Sequence, residues 1–267
     1  MGADIKALRS RIKSVDSTLH LTKAMGLVAS SKIRKANSAM AKSRDYASAV
    51  QNTVEVLSLS PECAKNPYMR ETDGARTKIV VIAGDRGLAG GYNANVFRLA
   101  SEYPDAEFIP IGKRACERFG TEANSSEMFS YADAKALCDA LCKEFCEDKF
   151  DRLGIISTKY VSMMTQEAQI SWVLPITRAE NAGNVGVIFE PDEMTVLNTA
   201  VPEYVAGILI ASLRESFASE VAARRMAMDS AGKNAQQMID SLQLEYNRAR
   251  QGAITQEITE IVAGSGT

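Results

Sequence analysis

A glycine-rich segment, GDRGLAGGYN at residues 84–93, is the first place where this sequence could bind a ligand. It follows TKIVVIA, an apolar run that predicts a buried strand, and a strand that leads into a glycine-rich turn can hold phosphate. A phosphate loop of the Walker type needs a lysine and a hydroxyl, which are missing here, and the GxGxxG dinucleotide pattern is absent. The segment therefore favours a tight strand-to-helix turn, or a surface that shows Asp85 and Arg86 to a partner, over a nucleotide site.

The cysteines give little support for a metal site. Cys138, Cys142 and Cys146 are spaced by four along a predicted helix, which places their sulfurs on one face. No CxxC pair accompanies them, and the single histidine, His20, is far away in the sequence. We expect small thiols that face the core, with no metal and no cofactor. His20 lies off the apolar positions around it, so we expect it at the surface.

Catalytic motifs are missing as well. The sequence has no GxSxG, HExxH or CxxC, and its acidic residues are scattered without a spacing that singles out a pair. We therefore expect no active site in this chain.

Composition is that of an ordinary soluble protein, with 46% hydrophobic and 24% charged residues. The formal net charge of −2 does not suggest a general nucleic-acid binder. No uninterrupted apolar run is long enough to predict a membrane-spanning helix, and the first residues lack the apolar stretch of a secretory signal. An odd number of cysteines, five, then indicates reduced thiols in a cytosolic compartment.

Proline divides the chain into three parts. All seven prolines lie between residues 61 and 202. Because proline inside a helix costs about 3 kcal/mol, two long proline-free ends predict two long helices around a folded insert. The predicted parts are a helix over 1–60, an α/β domain over 61–202 and a second helix over 203–267.

Apolar periodicity supports the two helices. Residues taken alternately three and four apart from Ile5 to Leu57 are almost all apolar and form a seam along one helix face. A repeat of 3.5 residues over this length is typical of a coiled coil. Similar steps from Val221 to Ala253 meet a weaker seam. Both helices join the same insert, so we expect them to pair antiparallel. The first seam is small at its centre, which lets the helices approach closely; these residues are Thr22, Gly26, Ala29 and Ala36.

The middle of the chain alternates predicted strands and helices, which favours βαβ units and a mostly parallel sheet. The predicted strands are TKIVVIA, EFIPI, RLGIIST and AQISWVLPI, and the predicted helices cover about 93–101, 113–119 and 133–148.

Charge is unevenly distributed along the chain. Residues 1–60 carry ten Lys and Arg against four Asp and Glu, whereas residues 61–202 carry fifteen against twenty-one. The basic first helix could face nucleic acid or an acidic protein surface, or it could simply present a solvated face.

Five segments closely resemble the gamma-subunit family of F-type ATP synthases. Two lie near the carboxyl end, ASEVAARRMAMDSAGKNA (218–235) and LQLEYNRARQGAITQEITEIVAG (242–264). The third is IKALRSRIKSVDSTLHLTKAMGLVASSKIRKA (5–36), and the internal segments GDRGLAGGYN and FEPD (189–192) complete the match. The resemblance therefore covers both ends and the middle of the chain, in order.

The resemblance implies a Rossmann-like α/β domain between two terminal helices that form an antiparallel coiled coil. It implies a rotor shaft without catalysis or cofactor, which couples ion-driven rotation of a c-ring to ATP synthesis or hydrolysis. The implied partners are the alpha and beta subunits, the epsilon subunit and the c-ring, with no nucleic acid and with the membrane reached only through the c-ring. The implied location is the cytoplasmic face of the bacterial membrane.

The resemblance also implies roles for single residues. Arg250 and Gln251 match the family's hydrogen-bonding catch to a beta-subunit loop, and Thr255 belongs to the same zone. The remaining matched contact residues are Met25 and Arg224, which touch beta or couple the helices, Asp85 and Arg86 near the acidic lever segment of beta, and Tyr204 at the c-ring.

Three positions depart from the family pattern. Glu203 replaces a more usual arginine, Gly26 stands where many relatives carry glutamate, and Ala89 stands where many carry cysteine. Two other classes of function stay open from the residues alone. One is a switch or enzyme with a nucleotide pocket at 84–92, and the other is a coiled-coil scaffold that carries the α/β domain without rotating.

Overall fold

The structure, a computed structural model, describes residues 2–70, 72, 74–178 and 189–264. The chain divides into two compact units. One is formed by the two chain ends, up to residue 30 and from residue 224 onward, and the other by residues 31–223.

Two long helices and three shorter ones account for the helical part of the described residues. Helix α1 spans Gly2–Ser58, α2 spans Tyr92–Ala100 and α3 spans Lys113–Phe119. Helix α4 spans Tyr131–Cys146, and α5 spans Glu193–Gly264 with 72 residues. Short 3-10 turns follow α1 at Cys63–Lys65 and Pro67–Met69.

The start of the last helix differs from the sequence prediction. Helix α5 begins at Glu193 and contains Pro202, whereas the proline pattern placed its start after that residue. Proline removes one helical hydrogen bond. The loss is tolerated because the surrounding turns are held in the core by Leu197, Val201 and Val205, all of which are buried.

Both predicted seams are confirmed, because every one of their residues is buried or half-buried. In the unit formed by the chain ends, Leu19 packs against Ala235 and Ile239. The α-carbon of Gly232 faces the hydroxyl of Thr22. Contacts that move backward along α5 as they move forward along α1 confirm the antiparallel pairing.

The other unit contains a four-stranded sheet. Its strands are β1 (Thr77–Ile82), β2 (Glu107–Ile111), β3 (Arg152–Tyr160) and β4 (Gln166–Leu174). Their order is β2-β1-β3-β4, with β1 parallel to both of its neighbours and β4 antiparallel to β3. The mostly parallel sheet predicted from the alternating pattern is confirmed, as is the Rossmann-like α/β domain that the family resemblance implied.

Alternate residues of the sheet build two separate cores, as the pleat of a strand requires. Val80 and Ile155 face one core, which also contains buried residues of α4 and of both long helices. Ile79 and Ile156 face the other core, which contains residues of α2 and α3. Within residues 31–223, the long helices therefore pack on the same face of the sheet as α4.

The cysteine stripe of α4 is only partly buried. Cys138 and Cys142 lie in the core, and burial raises the pKa of each thiol to about 12, so neither is a reactive thiolate at neutral pH. Cys146 is exposed, so the prediction that all three face the core was wrong for this residue. It is the last residue of α4.

Part of α5 is long and apolar enough to cross a membrane, with a mean hydropathy of 1.5. Of that stretch, 44% is buried inside the protein. Burial against the sheet favours a core helix of a folded unit, which passes the same test of length and composition.

One glycine at the end of β2 tests the packing of the sheet. Gly112 has φ of +101°, and a β-carbon there would lie 2.0 Å from the carbonyl oxygen of Ala83. We expect Gly112→Ala to lower the free energy of unfolding by about 3 kcal/mol or more, because it adds a backbone clash to a strained conformation. Urea unfolding of the purified protein measures the change.

Gly120→Ala is the matched control for this prediction. Gly120 also has a positive φ, +70°, but a β-carbon there would meet nothing within 4 Å. Its substitution carries only the conformational cost, about 1 kcal/mol. Equal losses in the two variants would contradict the packing argument.

Candidate functional site

The paired ends of α1 and α5 form the first part of the candidate site. Two glycines, Gly26 and Gly232, let the helices approach closely, and Arg225 donates a hydrogen bond of 3.0 Å to the carbonyl oxygen of Gly26. A groove of about 480 Å³ runs along this pair, with Lys23 and Lys233 on its rim. The bond from Arg225 ties one helix to the backbone of the other at a point without a side chain.

Met25 and Arg224 lie in the same unit and are both half-buried. Each therefore keeps part of its side chain at the surface. His20, predicted at the surface, is exposed and lies 3.7 Å from the carboxylate of Asp16, one turn earlier.

The end of α5 extends past the start of α1. Gly26 lies against Met228 and Thr22 against Gly232, and the continuation of this register brings Asp4 opposite Arg250. The residues from 254 to 264 are all exposed. Four large apolar side chains of this tail are 46–69% exposed: Ile254, Ile258, Ile261 and Val262.

Arg250, Gln251 and Thr255, the predicted catch residues, are all exposed at the beginning of this tail. The hydroxyl of Thr255 donates a hydrogen bond of 2.9 Å to the carbonyl oxygen of Gln251 in its own helix. The three side chains are therefore presented together on one short stretch of helix.

The glycine-rich segment is held by the carboxylate of Asp85, which accepts hydrogen bonds from the chain itself. The backbone N–H of Lys113 donates at 3.1 Å and that of Ser126 at 2.9 Å. The hydroxyl of Ser125 and the backbone N–H of Glu127 donate to its other oxygen. Asp85 thus fastens the segment to residues 125–127, while Arg86 beside it is exposed.

These bonds control the charge of Asp85. Burial alone would raise the pKa of this carboxyl, but the hydrogen bonds from Ser125, Ser126, Lys113 and Glu127 outweigh burial and hold the pKa below its usual value. Asp85 is therefore ionised at neutral pH and serves to hold the loop. The sequence could not show this, because the donors lie some 28 to 42 residues away.

The loop does not form a phosphate cradle. Its first N–H, that of Gly84, donates to the side chain of Asn93 at 2.9 Å. Behind it lies the buried carboxylate of Glu220, and a β-carbon on Gly84 would be 2.7 Å from the carboxyl carbon. This side chain fills the space behind the loop, and the first N–H of the loop is already bonded, so the geometry does not favour the nucleotide alternative.

A basic groove within residues 31–223 was not found from the sequence. Lys32, Lys35 and Arg214 line a cavity of about 380 Å³ together with Glu127 and Phe217. The ammonium of Lys32 pairs with Glu127 at 2.7 Å and lies 5.8 Å from the ring centroid of Phe217. Three cations against one carboxylate leave this groove positive. Only folding brings the groups together, since they come from α1, α5 and the loop before α4.

Tyr204, the predicted c-ring contact, is half-buried on α5 and packs against the core. Burial, followed by the nearby Glu55, raises the pKa of its phenol. Its neighbour Glu203 accepts a hydrogen bond from Tyr131 and pairs with Lys135 at 3.1 Å. The acidic residue that departs from the family pattern therefore contacts two groups on α4, of which Lys135 also pairs with Asp139 at 2.7 Å.

Comparison with known proteins decides the family. A family model described as ATP synthase matches residues 4–267. The ATP synthase gamma chain of Ruminococcus albus is 39% identical over 281 residues, which cover 98% of each chain. The sodium-ion-specific gamma chain of Acetobacterium woodii is 35% identical, with 99% of each chain covered. The chain belongs to the ATP synthase gamma-chain family.

Solved structures show the fold of a gamma chain. The central stalk and c-ring of Tetrahymena thermophila mitochondrial ATP synthase contains a chain with a TM-score of 0.62 and 21% identity. That match covers 79% of this chain and 99% of the other. The rotor of Euglena gracilis mitochondrial ATP synthase gives a TM-score of 0.67 at 16% identity, over 95% of this chain and 100% of the other.

Family membership sets the general role of the molecule. A gamma chain is the non-catalytic central-stalk rotor subunit of ATP synthase, and the complex is associated with a membrane. The long paired helices and the Rossmann-like sheet are the structural parts of this gamma chain.

The role of Asp85 as a fastener can be tested by Asp85→Asn. We expect the free energy of unfolding to fall by about 1–3 kcal/mol at pH 7. The reason is that a side-chain amide would place its own N–H groups against the hydrogen-bond donors that now face the carboxylate. The advantage of the carboxylate is present above the unfolded pKa, near 4, and is lost as pH falls through the lower folded pKa.

Urea unfolding of both proteins between pH 3 and pH 7 measures this difference. Asp105→Asn is the control, since Asp105 is an exposed aspartate on a turn of the same domain. If the difference in unfolding free energy between the wild type and Asp85→Asn did not change with pH, Asp85 would not hold the loop through its charge.

Proposed function

We propose that this chain is the shaft that couples rotation of an ion-driven c-ring to ATP synthesis or hydrolysis in an alpha–beta hexamer. The observation that carries the proposal is an antiparallel helix pair whose second helix ends in an exposed, partly apolar tail, within a chain of the gamma family. ATP is made or hydrolysed in the partner subunits, so the task of this chain is mechanical.

The helix pair suits a shaft because two helices that share a buried seam resist twisting better than one. Small residues at the seam bring the helix axes together, and close packing transmits strain. The cross-helix bond from Arg225 to the Gly26 carbonyl adds a directional contact to the apolar seam. Rotation of one end would therefore be passed along the pair.

We assign the end of α5 to the beta subunits. Arg250, Gln251 and Thr255 are exposed and carry hydrogen-bonding groups, which suits a contact that forms and breaks once in each step. The apolar side chains that follow, from Ile254 to Val262, suit an apolar sleeve at the centre of the hexamer. An apolar tip without strong hydrogen bonds can turn against such a sleeve.

We assign the basic groove to the acidic lever segment of beta. Its three cations, Lys32, Lys35 and Arg214, would attract carboxylates electrostatically while Glu127 limits the strength of the contact. Arg86 is exposed and would meet the same kind of surface, with Asp85 holding its loop in place. Met25 and Arg224 would make further contacts with beta from their half-buried positions.

We place the epsilon subunit and the c-ring at the α/β domain, with Tyr204 in the contact region. Because Glu203 is already paired with Lys135 and Tyr131, this contact would be less acidic than the sequence indicates. The complex would lie at the cytoplasmic face of the bacterial membrane, and this chain would reach the membrane only through the c-ring. We propose no nucleic-acid partner for this chain.

Co-purification and cross-linking test the rotary role. A tagged chain should co-purify with alpha and beta subunits in a membrane-associated ATPase. A cysteine pair placed at Arg86 and on beta, with Cys146→Ser to remove the exposed thiol, should abolish ATP turnover when oxidised and restore it when reduced. Retained turnover in the cross-linked complex would identify a scaffold, and tight binding of ATP to the isolated chain would identify a nucleotide switch.

The double variant Arg250→Ala with Gln251→Ala tests the catch. We expect coupled ATP synthesis to fall by about tenfold, since two hydrogen bonds to a partner are worth roughly 1.4 kcal/mol or more together. The stability of the chain itself should not change, because both side chains are exposed. Synthesis per assembled complex is the measurement.

Arg248→Ala is the control for the loss of a positive charge. Arg248 is also exposed on α5, two residues before the catch, and the family resemblance assigns it no role. Unchanged synthesis in the double variant would remove Arg250 and Gln251 from the catch.

A further inference from the structure

Strand β3 extends beyond the end of β1, one of its two neighbouring strands. The pairing of β3 with β1 runs from Arg152 to Ile156, whereas the pairing with β4 continues to Tyr160. Residues 158–160 therefore have a neighbouring strand on one side only. On the other side, the backbone groups of Thr158 and Tyr160 need partners, because unpaired buried backbone groups are costly.

Two serines of α5 bond to Thr158 on that open side. The N–H of Thr158 donates to the hydroxyl of Ser216 at 3.0 Å, and the hydroxyl of Ser219 donates to the carbonyl oxygen of Thr158 at 3.3 Å. Ser216 is 1% exposed and Ser219 is 0% exposed. One turn of α5 thus takes the place of a strand for this residue.

A carboxylate and a guanidinium do the same for Tyr160. Its N–H donates to Glu215 at 2.8 Å, and Arg44 of α1 donates to its carbonyl oxygen at 3.4 Å. Arg44 also donates to Glu215 at 2.6 Å. We call this set the β3 joint: Thr158, Tyr160, Ser216, Ser219, Glu215 and Arg44. It joins β3 to both long helices.

Apolar packing borders one side of the β3 joint, where Ser216 and Ser219 are buried, whereas the side chain of Arg44 is 44% exposed. The ring of Tyr160 and that of Phe217 pack with Ala36, Met40 and Ala218, which are buried where α1 and α5 meet. This packing excludes water from one side of the polar groups. Hydrogen bonds in such a place are stronger and have a fixed direction.

We propose that the β3 joint is the place where torque passes between the α/β domain and the two long helices. Close apolar packing resists sliding and rolling of a helix on the sheet only through the shapes of the side chains, whereas hydrogen bonds also fix a direction. Four bonds to the backbone of one strand, from groups on two helices, oppose both movements. This proposal rests on the rotary function above, and it identifies Ser216, Ser219, Glu215 and Arg44 as positioning residues.

The double variant Ser216→Ala with Ser219→Ala tests the joint in the assembled ATP synthase, reconstituted into lipid vesicles. We expect ATP hydrolysis per complex to be retained when there is no opposing ion gradient. Ion pumping per ATP hydrolysed should fall, and fall further as the opposing gradient grows, because the load acts on the weakened joint. A potential-sensitive dye reports pumping whichever ion is carried.

Two further variants separate a mechanical role from a loss of folding. Ser212→Ala lies one turn before Ser216 on the same helix and should pump as the wild type does. Glu215→Gln keeps an oxygen for the N–H of Tyr160 but removes the charge that pairs with Arg44. It should assemble fully and lose pumping only against a high gradient.

Each outcome decides one proposal. If Glu215→Gln and the double serine variant pump as well as the wild type at every gradient, the joint does not carry torque, while the rotary function stands. A parallel fall in assembly, hydrolysis and pumping in both variants would also overturn the joint and indicate a structural role alone. If the wild-type complex hydrolyses ATP without pumping, the rotary function itself fails.

Discussion

Burial of one apolar stripe on each long helix is the constraint on which the rest of the molecule depends. The stripe of α1 repeats at 3.5 residues from Ile5 to Leu57, and all of its members are buried or half-buried. Among the chain ends, its partner is the other helix. Within residues 31–223, it also packs on the sheet, because Val54 and Leu57 share a core with β1 and β3. The same periodic pattern thus serves both a helix pair and a folded domain.

Polar contacts then decide how the parts are held on this apolar base. Asp85 fastens the glycine-rich loop to residues 125–127, and Lys32 connects that region to α1 through Glu127. Glu203 plays the same part between α5 and α4. A gamma chain is a non-catalytic subunit. Its surface positions therefore differ from one another through such polar attachments and not through an active site.

The glycine-rich loop shows that the role of a residue depends on neighbours that the sequence does not reveal. From the sequence, Asp85 and Arg86 formed a charged pair suited to a partner. In the fold, the carboxylate of Asp85 accepts hydrogen bonds from four residues, at 113 and 125–127, and only Arg86 is exposed. Glu220 behind the loop also disfavours a phosphate site. It lies more than a hundred residues from the loop along the chain, so the sequence could not predict that the two are in contact.

The sequence by itself determined the long helices, the α/β alternation and the family, because these depend on periodicity, on where proline is excluded and on ordered local motifs. The family resemblance also predicted a contact role for Arg250, Gln251 and Thr255, and the structure shows that all three are exposed. Only the tertiary structure decided the basic groove with Arg214, the fastening by Asp85, the exposure of Cys146 and the β3 joint. Each of these depends on groups that are distant along the chain, and the hydrogen bonds between them leave no periodic trace in the sequence.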